Sequence, residues 1–290
     1  MKKINFKKVR IPCFALGKIV GLDREEKLNK AELYTLKKLE EQDGNLTTEE
    51  QSVLNFLKRQ KKEAESSLSK TCISYLTDEL FVYLTYGKRI RPGGESTIEA
   101  STRIIKGSLC ELDAIKILSE HDGINYNKNI KKYKNKYIVG VPDINYKKRM
   151  GDRKIIDIKS SWDLYTFMNN LPKNLSLQNK HQTQGYIALT KADIGEVCHI
   201  LTSAPEELIE KQVAKLRFKN VFATKNELDE AIELTRMSMR FDDIPIERRI
   251  IRFPVHRSEE DQQMLYDRVD LCRDWLVQYS KKHNDYFKNH

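Results

Sequence analysis

Apolar and polar positions change period several times along the chain, and each change marks an expected element. Residues 23–67 are charged and helix-favouring, divided by a turn at Asp43-Gly44-Asn45. Thr47 and Glu50 have capping-box spacing just before VLNFL, so two antiparallel helices are expected. The next segment, SKTCISYLTDELFVYLTYGKR, repeats apolar residues at Ile73, Leu76, Leu80 and Tyr83 or Leu84, one helical face that stops at Gly87. Another helix is expected at residues 108–120, followed by an Asn- and Lys-rich connector. Strands are then expected at 137–146 and 154–160, joined by a turn at Met150-Gly151-Asp152. A helix at 179–189, a strand at 195–203 and helices at 225–239 and from Ser258 complete the pattern. The last carries Leu265, Val269, Cys272, Leu276 and Tyr279 in steps of four and three, a stripe suited to packing on the core.

The order helix, hairpin, helix, strand, helix predicts an α/β (α+β) body with a central mixed β-sheet flanked by helices. Its expected parts are an N-terminal arm and helical region (1–100), a core (101–256) and a C-terminal helix (257–290), together one domain. Composition then narrows the partners. The 52 Lys and Arg against 42 Asp and Glu leave a formal charge of +10, which favours a polyanion such as nucleic acid or an anionic membrane. Lys and Asn are abundant throughout, so part of the excess is open to explanation by coding bias instead of a binding surface. The five cysteines are scattered without a CxxC pair, which leaves reduced, buried thiols and argues against zinc or iron–sulfur sites. No apolar run reaches the roughly 18 residues of a membrane span, so an intracellular, cytoplasmic protein with no membrane partner is expected.

Candidate chemistry gathers in GVPDINYKKRMGDRKIIDIKSS. Alternate strand residues share a face, so Asp157 and Lys159 point one way while Ile156 and Ile158 point the other. Pairing across the Gly151 turn would bring Asp143 alongside Asp157. Burying two like charges is costly unless a cation sits between them, and hard oxygen ligands suit Mg²⁺ or Mn²⁺. Glu111 lies on the helical face of Ala114, Ile115 and Leu118 and offers a third carboxylate. Each residue also has a plainer reading. Ser108 with Glu111 spells a capping box, Asp157 with Lys159 a salt bridge on an exposed strand, and Asp143 a turn residue after proline. Lys88, Arg89 and Arg91 form a basic, glycine-flanked loop able to meet phosphates, or an ordinary solvated loop.

Pro142-Asp143, thirteen intervening residues, then Asp157-Ile158-Lys159 resembles the PD-(D/E)XK nuclease signature. The surroundings GVPDI and IIDIKSSW are similar to the branch of phage lambda-type exonucleases, YqaJ-like viral recombinases and RecB-type nucleases. GSLCELDA, with Glu111, is similar to that branch's upstream glutamate helix, and HQTQGYIALT supplies Gln182 and Tyr186 in its Gln-x-x-x-Tyr arrangement. The resemblance covers residues 106–203 and implies a restriction-endonuclease-like core.

It also implies a function: hydrolysis of DNA phosphodiesters from the ends of linear duplex, as in phage recombination. Glu111, Asp143, Asp157 and the backbone carbonyl of Ile158 would hold one or two Mg²⁺ or Mn²⁺ ions, with Lys159 positioning water or neutralising charge. Gln182 would orient the nucleophile or a phosphate oxygen, and Tyr186 would brace the site. Trp162 is either a base-stacking residue or a core contact. His181 is expected to be structural or solvent-facing, and His121 has no partner identifiable from sequence. Implied partners are duplex DNA with free ends, a single-strand annealing protein and, in part of the family, further copies in a homo-oligomer. A phage-encoded enzyme would work in the host cytoplasm. The competing readings are a restriction- or defence-type endonuclease using the same site, a non-catalytic DNA-binding protein and an RNA-processing protein, the last without an RNA-recognition motif.

Overall fold

The computed structural model describes residues 4–20, 30–42, 46–87, 98–147, 151–171, 175–219 and 224–288. The chain divides into two compact units, one of residues 1–90, 135–138 and 260–290, the other of 91–134 and 139–259. Among the described residues no helix is long and apolar enough to cross a membrane.

The first unit holds β1 (Ile11–Pro12), α1 (Leu16–Val20), α2 (Lys30–Glu41) and α3 (Thr48–Ser66). Leu36 and Leu39 of α2 pack with Leu54 and Leu57 of α3. The capping box closes as its spacing predicts: Glu50 N–H donates to Thr47 Oγ1 and Thr47 N–H to Glu50 Oε2. The turn at Asp43-Gly44-Asn45 lies outside the described residues. The following helix is α4 (Lys70–Ser74), a π-helical stretch (Tyr75–Phe81) and α5 (Val82–Tyr86), ended by Gly87 at φ +67°. The C-terminal helix (Glu259–Lys288) buries Leu265, Val269, Cys272 and Leu276 in this unit. Two of its arginines are buried because each caps main-chain carbonyls: Arg268 donates to Ile19 and Ser67, Arg273 to Val9 and Lys136.

The second unit contains α6 (Ile98–Leu109), α7 (Glu111–Asp122), β2 (Tyr133–Lys134), β3 (Ile138–Gly140), β4 (Ile144–Lys147) and β5 (Arg153–Ser161). It continues through α8 (Leu164–Met168), α9 (Leu177–Thr190), β6 (Ile194–Leu201), α10 (Glu206–Lys219), α11 (Lys225–Met237) and β7 (Ile250–His256). Four strands form a sheet in the order β4-β5-β6-β7, with β5 and β6 parallel and the outer pairs antiparallel. The parallel pair requires a crossover, which α8 and α9 supply. The expected mixed sheet flanked by helices is therefore present.

Three departures from the pattern have physical causes. The apolar run 137–146 is two strands, because Pro142 lacks an N–H and the chain leaves the ladder around it. Ser108 lies inside α6, and α7 begins at Glu111 after Cys110 without a side-chain cap, so the Ser108–Glu111 capping box does not form. β7 occupies the sheet edge, the position where Pro254 is tolerated. The core on one sheet face joins Ala114, Ile115 and Leu118 of α7 to Ile144, Ile156, Ile158, Cys198 and Ile200. On the other face α9 lies so close that a Cβ on Gly195 would stand 2.5 Å from Thr183 Cγ2.

Candidate active site

Register places the carboxylates. Ile144 pairs with Ile156 in the antiparallel β4–β5 ladder, so one step further Asp143 stands opposite Asp157. Pairing by main chain stops there, and the Ile158 N–H donates to Asp143 Oδ2 at 2.6 Å instead. Ile156 and Ile158 enter the α7 core, which turns Asp157 and Lys159 toward α9. Asp157 is 2% exposed, so the exposed-strand salt bridge is not what this strand makes.

The electrostatics follow from that placement. Burial, then the charge of Asp157 and, more weakly, that of Glu111, push the Asp143 carboxyl up to about 7 against the pull of the Ile158 N–H and Lys159. Burial also raises Asp157, opposed by Lys159 and by a hydrogen bond from Asp143. The two acids behave as a pair that resists carrying two negative charges. Lys159 Nζ lies 2.8 Å from Asp157 Oδ2, an ion pair inside the site.

From α9, Gln182 Nε2 donates to Asp157 Oδ1 (3.2 Å) and to Tyr186 Oη (3.1 Å), while Lys159 Nζ donates to Gln182 Oε1 (3.3 Å). Gln182 and Tyr186, one helical turn apart, are both buried. A solvent-facing Gln182 is thereby excluded. Ser176 caps α9 by accepting from Asn179 N–H.

Glu111, the first residue of α7, pairs with Lys128 Nζ at 2.6 Å. Lys128 was hidden in sequence by its lysine-rich connector. The main chain there is tied to the Pro142-Asp143 edge: Lys128 bridges Ile144, and Asn129 N–H donates to the Asp143 carbonyl. His199, also not singled out from sequence, lies beside Lys159 in the β5–β6 register, with its ring edge-on to Phe253. Burial and then Lys159 lower its pKa to about 4, so it is neutral near pH 7.

Other candidates stand apart from this cluster. The partly buried Trp162 ring packs on Ala204, Leu208, Ile209 and Met239, with Lys106 Nζ 5.8 Å from its centre. His181 is buried. His121 does have partners, Asp122 Oδ1 at 2.8 Å and Arg252 Nη2 at 3.3 Å. Lys88, Arg89 and Arg91 lie outside the described residues.

Among the described residues no three His, Cys, Asp or Glu side chains close into a ready metal cluster. Lys128 sits on Glu111 and Lys159 on Asp157. The donor set nevertheless fits a hard divalent cation: two desolvated carboxylates face each other, and burial and their mutual charge raise the pKa of Asp143 where no cation lies between them.

No protein-family model and no curated protein sequence matches the chain. Among solved structures, a phage-related exonuclease from Haemophilus somnus 129PT aligns with a TM-score of 0.61 at 18% identity, over 95% of this chain and 97% of that one. The chain has the restriction-endonuclease-like fold of that exonuclease. An alkaline exonuclease from Laribacter hongkongensis aligns over 77% of this chain and 91% of its own, with a TM-score of 0.48 and 11% identity.

Proposed function

We propose that the chain is a Mg²⁺- or Mn²⁺-dependent deoxyribonuclease that hydrolyses phosphodiesters from the free ends of duplex DNA. One observation carries the reading: Asp143 and Asp157 face each other across a hairpin, desolvated, with Lys159 and Gln182 both contacting Asp157. The fold shared with a phage-related exonuclease along nearly the whole chain supports it.

A bound divalent ion supplies Lewis acidity and charge neutralisation for phosphodiester hydrolysis. Asp143 and Asp157 would hold it, with Glu111 and the Ile158 carbonyl completing the set. Lys159 reaches the reacting centre with a compact, rotatable ammonium, suited to orienting the attacking water and to offsetting charge on the phosphate. Gln182 bridges Asp157 and Lys159 and so fixes their relative orientation, and Tyr186 holds Gln182 in turn. The buried flank of α9 keeps this constellation rigid.

Digestion from ends would leave single-stranded DNA, which makes a single-strand annealing protein the expected partner and phage-type recombination in a host cytoplasm the expected setting. The test supplies end-labelled linear duplex and covalently closed circular DNA with Mg²⁺. Linear DNA should release nucleotides, chelator should stop the release, and the circle should survive. Cleavage of the circle would instead assign a restriction- or defence-type endonuclease. If neither substrate is cut while both are bound, the chain is a DNA-binding protein without catalysis.

A further inference from the structure

Lys128 is the ionic group set most directly into the site that the resemblance does not supply. Its Nζ lies 2.6 Å from Glu111 Oε2, with the lysine side chain 41% exposed and the glutamate 19%. Its main chain is held in place: Lys128 bridges Ile144, Asn129 N–H donates to the Asp143 carbonyl at 2.7 Å, and Asn129 Nδ2 donates to the Pro142 carbonyl at 2.9 Å. The Cα is therefore fixed beside the carboxylate pair, and only the four-carbon stem is free to swing. We propose that Lys128 is an internal counter-charge of the site, which holds Glu111 when no divalent ion is bound, yields that carboxylate to the ion, and turns its freed ammonium to a DNA phosphate.

The inference rests on the nuclease reading above, and its chemistry is competition for one carboxylate. An ammonium at 2.6 Å from Glu111 Oε2 and a hard cation on the same carboxylate bring two positive charges close together, which weakens the hold on the ion. Lys159 stands in the same relation to Asp157, so the two lysines together meet the negative charge of two of the three carboxylates. Phosphate groups of DNA offer the displaced lysine a replacement partner, and its side chain is partly exposed to solvent.

The experiment measures Mn²⁺ binding to the full chain without DNA, by electron paramagnetic resonance of the free ion, for wild type, Lys128→Met, Lys128→Arg and Asp157→Asn, each checked for folding by thermal melting. A parallel series follows DNA binding against salt in Ca²⁺. Removing the competing charge in Lys128→Met should tighten Mn²⁺ binding roughly two- to fivefold, as for a partly exposed ion pair, with Lys128→Arg near wild type. The same change should reduce the salt slope of DNA binding by about one. Mn²⁺ binding in Lys128→Met no tighter than wild type, or an unchanged salt slope, overturns the role of Lys128. Asp157→Asn separates that failure from a deeper one. If it binds Mn²⁺ as well as wild type does, the metal-dependent reading itself is lost.

Discussion

Asp143 is the residue on which pH should act most visibly. Its folded pKa of about 7 lies above the ordinary 3.8, so between those values the folded state binds more protons than the unfolded one. Stability contributed by protonated Asp143 is therefore present in acid and lost as pH rises through that window. Asp143→Asn keeps an oxygen for the Ile158 N–H and removes the titration. In metal-free protein it should raise the melting temperature by roughly 2–4 °C at pH 8, the shift expected for about 1 kcal/mol, and leave it unchanged near pH 4. Adding Mg²⁺ should erase the difference at pH 8. A variant less stable than wild type at pH 8 would show that the carboxylates do not repel as described. Asp143, Asp157 and Lys159 were readable as neighbours because strand alternation and the hairpin turn bring those side chains together, whereas Gln182 and Tyr186 were singled out only through the resemblance to the nuclease branch. Lys128 was not, because its place depends on a bridge to Ile144 that no local pattern encodes.

The placement of α9 against β5 and β6 depends on Gly195. A methyl there would stand 2.5 Å from Thr183 Cγ2, 3.0 Å from Ile187 Cδ1 and 3.1 Å from Ile155 Cδ1, and Thr183 is the neighbour of Gln182. Gly195→Ala should push α9 outward, cost about 1–3 kcal/mol in urea unfolding and reduce nuclease activity by loosening the Gln182–Asp157 bond. Thr183→Ser removes the nearest obstructing carbon, so the double variant should recover part of both losses. Independent, additive losses would count against this coupling. Sequence pattern located α9 and β6, whose periods are undisturbed by proline, and the hairpin, whose first strand Pro142 divides. It missed β7, where IIRFPVH has neither clean alternation nor an uninterrupted apolar run, missed the helices α6 and α10, and began α7 early because Ser108 and Glu111 mimic a cap. The β7 and α7 errors arise where tertiary packing overrides a local signal.

Across the whole chain, a formal charge of +10 suits a protein that works on a polyanion, and the fold is one that a phage-related exonuclease also adopts. Neither establishes catalysis, because one fold hosts many activities. The decision rests on the acid pair. The most direct measurement compares wild type, Asp157→Ala and Lys159→Ala for nucleotide release from labelled linear duplex in Mg²⁺ or Mn²⁺, with melting curves confirming that the variants fold. The account predicts release by wild type and a loss of at least about a hundredfold in each variant, the order expected when a single electrostatic catalytic group is removed. Undiminished release by folded Asp157→Ala would contradict it.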